Sequence, residues 1–303
     1  MICITAQICR TNHRLKRIFR PVPRLAVIAV LIGLMPLAKA SDTVLMSLGN
    51  QHSCAVVKGV ASCWGVGSDI GTQDDLDSNS STAVPTAQSM DPSGTFTNTG
   101  VTEIAAGPSH SCLIEDGKVY CWGANSNRAG GYTCPENPPG FTPDSCNTIA
   151  TVVDDTTDFT NQNVTAVAVG EQHSCAIADG SAYCWGRGQS SSFVKFQNVL
   201  GFPTFFNEFA KKVENTAEFT NENLVDITAG ARHTCVLNAA GEVYCWGRNE
   251  EGQLGVDSST ESSLAVKVID GPSGDAVRFV NGEIKAITAG GKHTCAINND
   301  DFS

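Results

Sequence analysis

Outside its first 40 residues the chain is short of positive charge. Seven of its 20 Lys+Arg lie in that segment and none of its 31 Asp+Glu do, so the remainder carries 13 − 31 = −18. A phosphate backbone needs basic patches, so nucleic acid is excluded as a partner. The chain also lacks a long apolar run: the longest candidate, Leu25 to Leu37, is too short for a comfortable bilayer span. No P-loop, no strand-turn serine elbow and no paired-carboxylate motif stands out, so the common enzyme signatures are missing and no cofactor is expected.

What the chain has is a repeat. The stretch GPSHSCLIEDGKVYCWG, 107–123, returns as GNQHSCAVVKGVASCWG at 49–65, GEQHSCAIADGSAYCWG at 170–186 and GARHTCVLNAAGEVYCWG at 230–247. A fifth copy starts at Gly290 as GGKHTCAINNDD. The histidines His52, His110, His173, His233 and His293 are 58, 63, 60 and 60 residues apart. A long fixed period signals a repeat architecture.

Each copy reads as a β-hairpin. Asp116-Gly117 is a two-residue turn signal whose central positions both need positive φ. Counting outward pairs Cys112 with Cys121, on a non-hydrogen-bonded pair where Cα atoms approach to about 4.5 Å, at the short end of disulfide range. The same count pairs Cys54 with Cys63 about Lys58-Gly59, and Cys175 with Cys184 about Asp179-Gly180. The fourth copy has one residue more, and a three-residue turn at Ala239-Ala240-Gly241 keeps Cys235 opposite Cys245. Zinc is the competing reading of His52, Cys54 and Cys63. The chain offers no second Cys-x-x-Cys or His-x-x-x-His half and looks exported, which favours disulfides.

Residues 1–40 read as a signal peptide: a basic start with Arg10, Arg14, Lys16, Arg17, Arg20 and Arg24, the apolar run, then Ala38-Lys39-Ala40 as a small-x-small cleavage site. An uncleaved anchor is the alternative. The expected location is the periplasm, cell surface or extracellular space, with no membrane span once the leader is removed. Residues 41–303 then form one repeat domain, in units of about 44–100, 101–163, 164–223, 224–283 and a partial 284–303.

A short strand precedes each hairpin, and a variable segment follows each Cys-Trp-Gly. A recurring phrase closes each unit: Phe96-Thr97-Asn98, Phe159-Thr160-Asn161, Phe219-Thr220-Asn221 and Phe279-Val280-Asn281. It reads as the approach to the next unit, with a fourth strand before it, which gives about four strands per period and hence propeller blades. The second variable segment holds Cys134 and Cys146, expected to form a local disulfide. The third is aromatic, with Phe193, Phe196, Phe202, Phe205, Phe206 and Phe209. These phenylalanines are either a partner patch or the packing of an insertion. Asp75-Leu76-Asp77-Ser78-Asn79 starts like a calcium loop, but Ser80 and Thr86 stand where the glycine and the bidentate glutamate belong, so it reads as a solvated acidic loop.

At CWGRNEEGQLG, 245–255, after AGARHTC and GEVY, the sequence resembles the RCC1 (regulator of chromosome condensation) repeat family. Every copy has the glycine and the His-[Ser/Thr] pair, the four full copies have the Trp-Gly, and the fourth alone keeps the whole Asn-x-x-Gly-Gln-Leu-Gly tail. The resemblance implies an all-β propeller of four-stranded antiparallel blades, usually seven. The cysteine pair is similar to that of exported bacterial members. Four full periods and the start of a fifth fall short of that ring, and the register partner of Cys295 would lie just past Ser303, so a truncated chain is expected.

A histidine in every copy has an architectural job: the expectation is a ring nitrogen bonded to backbone near the inner strands, not catalysis. Trp64, Trp122, Trp185 and Trp246 read as packing between blades, each with an N–H to satisfy. The chain is thus expected to be a non-enzymatic, secreted or cell-surface binding module for an unidentified protein, one version being an inhibitor of a secreted enzyme. Guanine-nucleotide exchange, the activity that the resemblance implies, fits poorly with a leader and disulfides.

Overall fold

The computed structural model describes residues 2–3, 44–66, 83–90, 96–123, 129–130, 150–187, 206–271 and 279–298. Cys134, Cys146, Phe193, Phe196, Phe202, Phe205 and the acidic segment 75–79 fall outside these residues. Every regular element in the described residues is a strand. Blade 1 is β2 (Val44–Leu48), β3 (His52–Val57), β4 (Val60–Val66) and β5 (Ala83–Ser89). Blade 2 is β6 (Val101–Ala106), β7 (His110–Glu115), β8 (Lys118–Gly123) and β9 (Thr151–Val152). Blade 3 is β10 (Val164–Val169), β11 (His173–Ala178), β12 (Ser181–Arg187) and β13 (Phe206–Lys212). Blade 4 is β14 (Leu224–Ala229), β15 (His233–Asn238), β16 (Val243–Gly247) and β17 (Ser262–Lys267). Within each blade the strands are hydrogen-bonded in chain order. The fifth sheet joins β18 (Ile284–Ala289) and β19 (Thr294–Asn298), and β1 (Ile2–Cys3) lies antiparallel on the free edge of β19, Cys3 in register with Cys295.

The turns set the register. Lys58, Asp116 and Asp179 take positive φ at 53°, 49° and 49°, each followed by a positive-φ glycine, as a two-residue hairpin turn demands. In blade 4 Gly241 takes φ 78° in the longer turn, and Asn238 holds that turn through Oδ1, which accepts from Ala240 N and Glu242 N. Cys112 therefore faces Cys121, and Cys235 still faces Cys245. Disulfides join Cys54–Cys63, Cys112–Cys121, Cys175–Cys184 and Cys235–Cys245, each with a Cα–Cα distance of 4.1 Å.

The inner strands alternate imperfectly in sequence for a structural reason. In blades 2 to 5 the ladder slips between the first and third residue, as at Val101/Glu103 and Leu224/Asp226. One residue is left unpaired there, and the side-chain alternation shifts with it. Below the slip, Ile104, Val167, Ile227 and Ile287 all turn onto the preceding blade and are 3–8% exposed.

The core is a series of layers between blades. The second hairpin's Cys112, Ile114, Val119 and Cys121 pack against Val164, Val167 and Ala176 of blade 3. Equivalent layers join blades 1 and 2, 3 and 4, and 4 and 5. Each disulfide is fully buried in such a layer. Phe159, from the phrase between blades 2 and 3, fills the layer beside Tyr183 and Trp185, with ring centroids 5.2 and 6.3 Å away. Phe219 does the same beside Tyr244 and Trp246, at 5.2 and 6.4 Å.

Candidate functional site

Each repeated histidine follows a glycine by three residues, and the structure shows why. A Cβ on Gly170 would collide with the His173 ring and come within 2.8 Å of Gly230 O. The imidazole lies against the bare glycine and is thereby aimed at the next blade. His52 Nε2 meets Ser111 Oγ at 2.6 Å, His110 meets Ser174 at 2.8 Å, His173 meets Thr234 Oγ1 at 3.0 Å and His233 meets Thr294 Oγ1 at 2.9 Å. The partner is a hydroxyl of the following blade, and the expected backbone bond is corrected accordingly. The residue after each histidine is Ser or Thr because it receives the histidine of the blade before.

Two of these clasps fix their own tautomer. Ser174 Oγ donates to Ala129 O at 2.7 Å, and Thr294 Oγ1 donates to Gln253 O at 3.0 Å. Each hydroxyl has one hydrogen, already given to a carbonyl. His110 and His233 must therefore donate from Nε2. Their Nδ1 atoms are buried without a hydrogen-bond partner, so a second proton there would have no acceptor. Burial pushes the imidazoles down to about 4 at His52, His110 and His233 and about 3 at His173, and neighbouring histidines add a smaller push at the last three.

A histidine within hydrogen-bond reach of a serine resembles a base poised on a nucleophile. In the His110 and His233 pairs the hydroxyl points its hydrogen at a carbonyl, and Ser111, Ser174, Thr234 and Thr294 are all 0% exposed. No substrate atom reaches them, and the pairs are joints. The tryptophans belong to the same layers: Trp122, Trp185 and Trp246 are 0% exposed, and Trp185 Nε1 donates to Ala129 O at 2.8 Å. Trp64 is partly exposed. His293 is exposed as well.

The closing asparagine of each unit carries a role that reading the phrase as a linker missed. Asn161 Oδ1 accepts from Val119 N at 2.7 Å, while Nδ2 donates to Val119 O and Val153 O at 3.0 and 2.9 Å. Asn98, Asn221 and Asn281 repeat this clamp on Ala61 and Met90, Ala182 and Val213, and Val243 and Val268. An invariant amide after a variable residue was the available signal. Blade 2 adds a second device beside the Asn98 clamp: buried Glu115 accepts from Thr97 N, Thr97 Oγ1 and Thr99 N.

Inner strands are tied by side chains too. Ser47 Oγ accepts from Ala106 N at 2.8 Å, Thr228 Oγ1 from Ala289 N at 2.9 Å, and Asp226 Oδ2 from Ile287 N at 3.2 Å. Glu103 accepts from Val167 N, and burial raises its carboxyl to about 7 against that bond, with a smaller contribution from Asp226. Burial likewise raises Asp226. Among the described residues no three His, Cys, Asp or Glu side chains gather as metal ligands. No described helix is long and apolar enough to cross a membrane.

Of the aromatic segment, Phe206 opens β13 and pairs in register with Arg187 of β12, so its backbone belongs to the outer edge of blade 3. Phe209 on the same strand is 38% exposed.

Models of the regulator of chromosome condensation (RCC1) repeat match residues 101–128, 224–253 and 240–297. The chain is 29% identical to the secretion-regulating guanine nucleotide exchange factor of Bos taurus over 185 residues, which is 61% of this chain and 35% of the relative. It is 27% identical to the ultraviolet-B receptor UVR8 of Arabidopsis thaliana over 200 residues, 65% of this chain and 39% of the relative. The chain thus spans less than two-fifths of the length of these relatives. Among solved structures, human WBSCR16 superposes with a TM-score of 0.63 at 17% identity, over 86% of this chain and 59% of that one. Yeast RCC1 (Prp20), solved with Kap60, gives 0.57 at 18% identity over 87% and 56%. RCC1 repeats are thus found at residues 101–128 and 224–297, and the four-stranded blades share the propeller fold of these solved neighbours.

Proposed function

We propose that this protein is an exported, non-enzymatic RCC1-repeat module that binds another protein. The carrying observation is the division of labour in each unit. The repeated residues, namely histidine, Ser/Thr, tryptophan, asparagine and the cysteine pair, are spent on building the blades and joining them. What differs between units is the segment after each Cys-Trp-Gly, Ser/Asp-rich in the first and phenylalanine-rich in the third. Variable segments on a rigid repeat scaffold make a recognition surface. Relatives named as exchange factors, a receptor and a complex with Kap60 support a family built for binding proteins.

Export is the reading of residues 1–40 as a leader, with 41–303 as the repeat domain, and buried disulfides in every full repeat suit an oxidising compartment. The partner segment is Phe193 to Phe206. The test is affinity capture from culture medium and cell-surface extract with the full chain as bait, beside Phe202→Ala and Phe206→Ala. The reading expects one identified protein whose capture both variants weaken at unchanged fold. Retention of the chain in the cytosol with reduced thiols would refute export.

A second reading, nucleotide exchange on a small GTPase, draws on the names of the relatives. Accelerated nucleotide release from a purified GTPase by the full chain would favour it over the first.

A further inference from the structure

We infer that Asn281 is a site of spontaneous covalent modification, deamidation, which the blade 4 clamp holds in check and which proceeds when that clamp opens. Two observations carry it. Asn281-Gly282 is the one Asn-Gly pair in the chain. The fold engages both of its reacting groups in hydrogen bonds.

In the reaction Gly282 N attacks Asn281 Cγ. A C–N bond forms, the bond from Cγ to Nδ2 breaks, and the proton shed by Gly282 N passes through solvent to the departing amide, which leaves as ammonia. Water then opens the five-membered imide at either carbonyl, giving aspartate or isoaspartate. Water is the sole co-reactant. A following glycine favours the attack, because no Cβ shields the nitrogen and the backbone turns freely. The other closing asparagines, Asn98, Asn161 and Asn221, are followed by Thr99, Gln162 and Glu222, whose side chains crowd that nitrogen. One clamp of the four is therefore chemically labile.

The folded chain keeps the two groups occupied. Gly282 N donates to Gly241 O at 2.9 Å, in the hairpin turn of blade 4. Asn281 Oδ1 accepts from Val243 N at 2.7 Å, and Nδ2 donates to Val268 O and Val243 O at 2.6 and 3.2 Å. Imide formation must break the glycine's bond and withdraw Nδ2 from both carbonyls. The reaction therefore follows local opening, at a rate set by the open fraction.

Its products do not restore the clamp. Aspartate sets an acceptor-only side chain against the carbonyls of Val243 and Val268. Isoaspartate reroutes the backbone through the former side chain and carries Gly282 N away from Gly241 O. An opened chain is thus marked chemically at blade 4, and the mark persists after refolding. This inference is independent of the partner, the location and the phenylalanine segment.

Peptide mapping by mass spectrometry tests it, with aspartate and isoaspartate quantified at residues 98, 161, 221 and 281 after incubation of the full chain in mildly alkaline buffer. One arm is native. A second is unfolded in urea with the disulfides intact, and a third is unfolded Gly282→Ala. That variant serves in the unfolded arm alone, because Gly282 takes φ 105° when folded. Residue 281 is expected to convert about ten-fold more slowly in the native arm than in the unfolded one, as an opening equilibrium requires. In the unfolded arm it should outpace the other three asparagines, and Gly282→Ala should bring it to their level. Chain refolded from the second arm should melt lower in proportion to its converted fraction. Equal rates at residue 281 in the native and unfolded arms would overturn the shielding. Conversion at 281 no faster than at 98, 161 and 221 in urea would overturn the site itself.

Discussion

His110 donates from Nε2 to Ser174 Oγ at 2.8 Å, and Ser174 hands its own hydrogen to Ala129 O at 2.7 Å. A side chain of blade 2 is thus tied, through one hydroxyl of blade 3, to the segment that follows blade 2's hairpin. The relay has a direction and no free proton. It makes the joint rigid, and it makes the joint sensitive to acid.

Acid should loosen the propeller before carboxylate protonation alone would. The clasp histidines are held below their ordinary 6.5, at about 4 or 3. A depressed folded value means the unfolded chain takes protons first, so the histidine contribution to stability is intact above pH 6.5 and declines as pH falls toward 4. Thermal melting points should be level above pH 7 and drop through that window. Ser174→Ala, which removes the acceptor of His110, should lower stability by about 1–3 kcal/mol at pH 7.5.

Glu103 should act in the opposite sense. Its carboxyl is raised from 4.5 to about 7, so its contribution is present below 4.5 and is lost as pH climbs through 7. Glu103→Gln should remove this opposing loss, so that stability falls more steeply on acidification between pH 7 and 4.5 than in the parent chain. Urea midpoints at half-unit pH steps would show it.

Asn161 is a stringent position. Asn161→Ala leaves the buried Val119 N–H unpaired, with an expected loss of about 1–3 kcal/mol. Asn161→Asp should be worse at neutral pH, because an acceptor-only side chain faces the carbonyls of Val119 and Val153. Mild acid should recover part of that difference. Chemical denaturation of both variants at pH 5 and 8 is the measurement.

Gly170 and Gly291 make a matched pair. Gly170→Ala places a methyl in the His173 ring and against Gly230 O, whereas a Cβ on Gly291 meets nothing within 4 Å. The first should lower the melting point by many degrees and the second should be near neutral. A large effect at Gly291 would show that chain flexibility, not contact, governs these loops.

The hairpin disulfides should resist reductant until the blades open, since all eight of these cysteines are 0% exposed. Alkylation and mass analysis in native buffer with dithiothreitol should find them joined, and denaturant should release them. Cys112→Ser with Cys121→Ser removes a loop whose sequence separation is 9. The loss should be about 2–3 kcal/mol on loop-entropy grounds.

By itself, the sequence determined the repeat, the hairpin centred on Asp116-Gly117, and the opposition of Cys112 and Cys121. These are local: a turn needing positive φ fixes the count, and the count fixes what lies opposite. The sequence also contained Gly170, His173, Ser174 and Asn161 in register, but not their meaning. Which hydroxyl a histidine meets depends on the stacking of one blade on the next, about 60 residues away, and no spacing within a unit encodes it. The same holds for the asparagine clamp, which reaches back across a whole variable segment to Val119. Only the tertiary structure decided that Ile104 is buried, because its burial depends on the side chains of blade 1 that lie against that face.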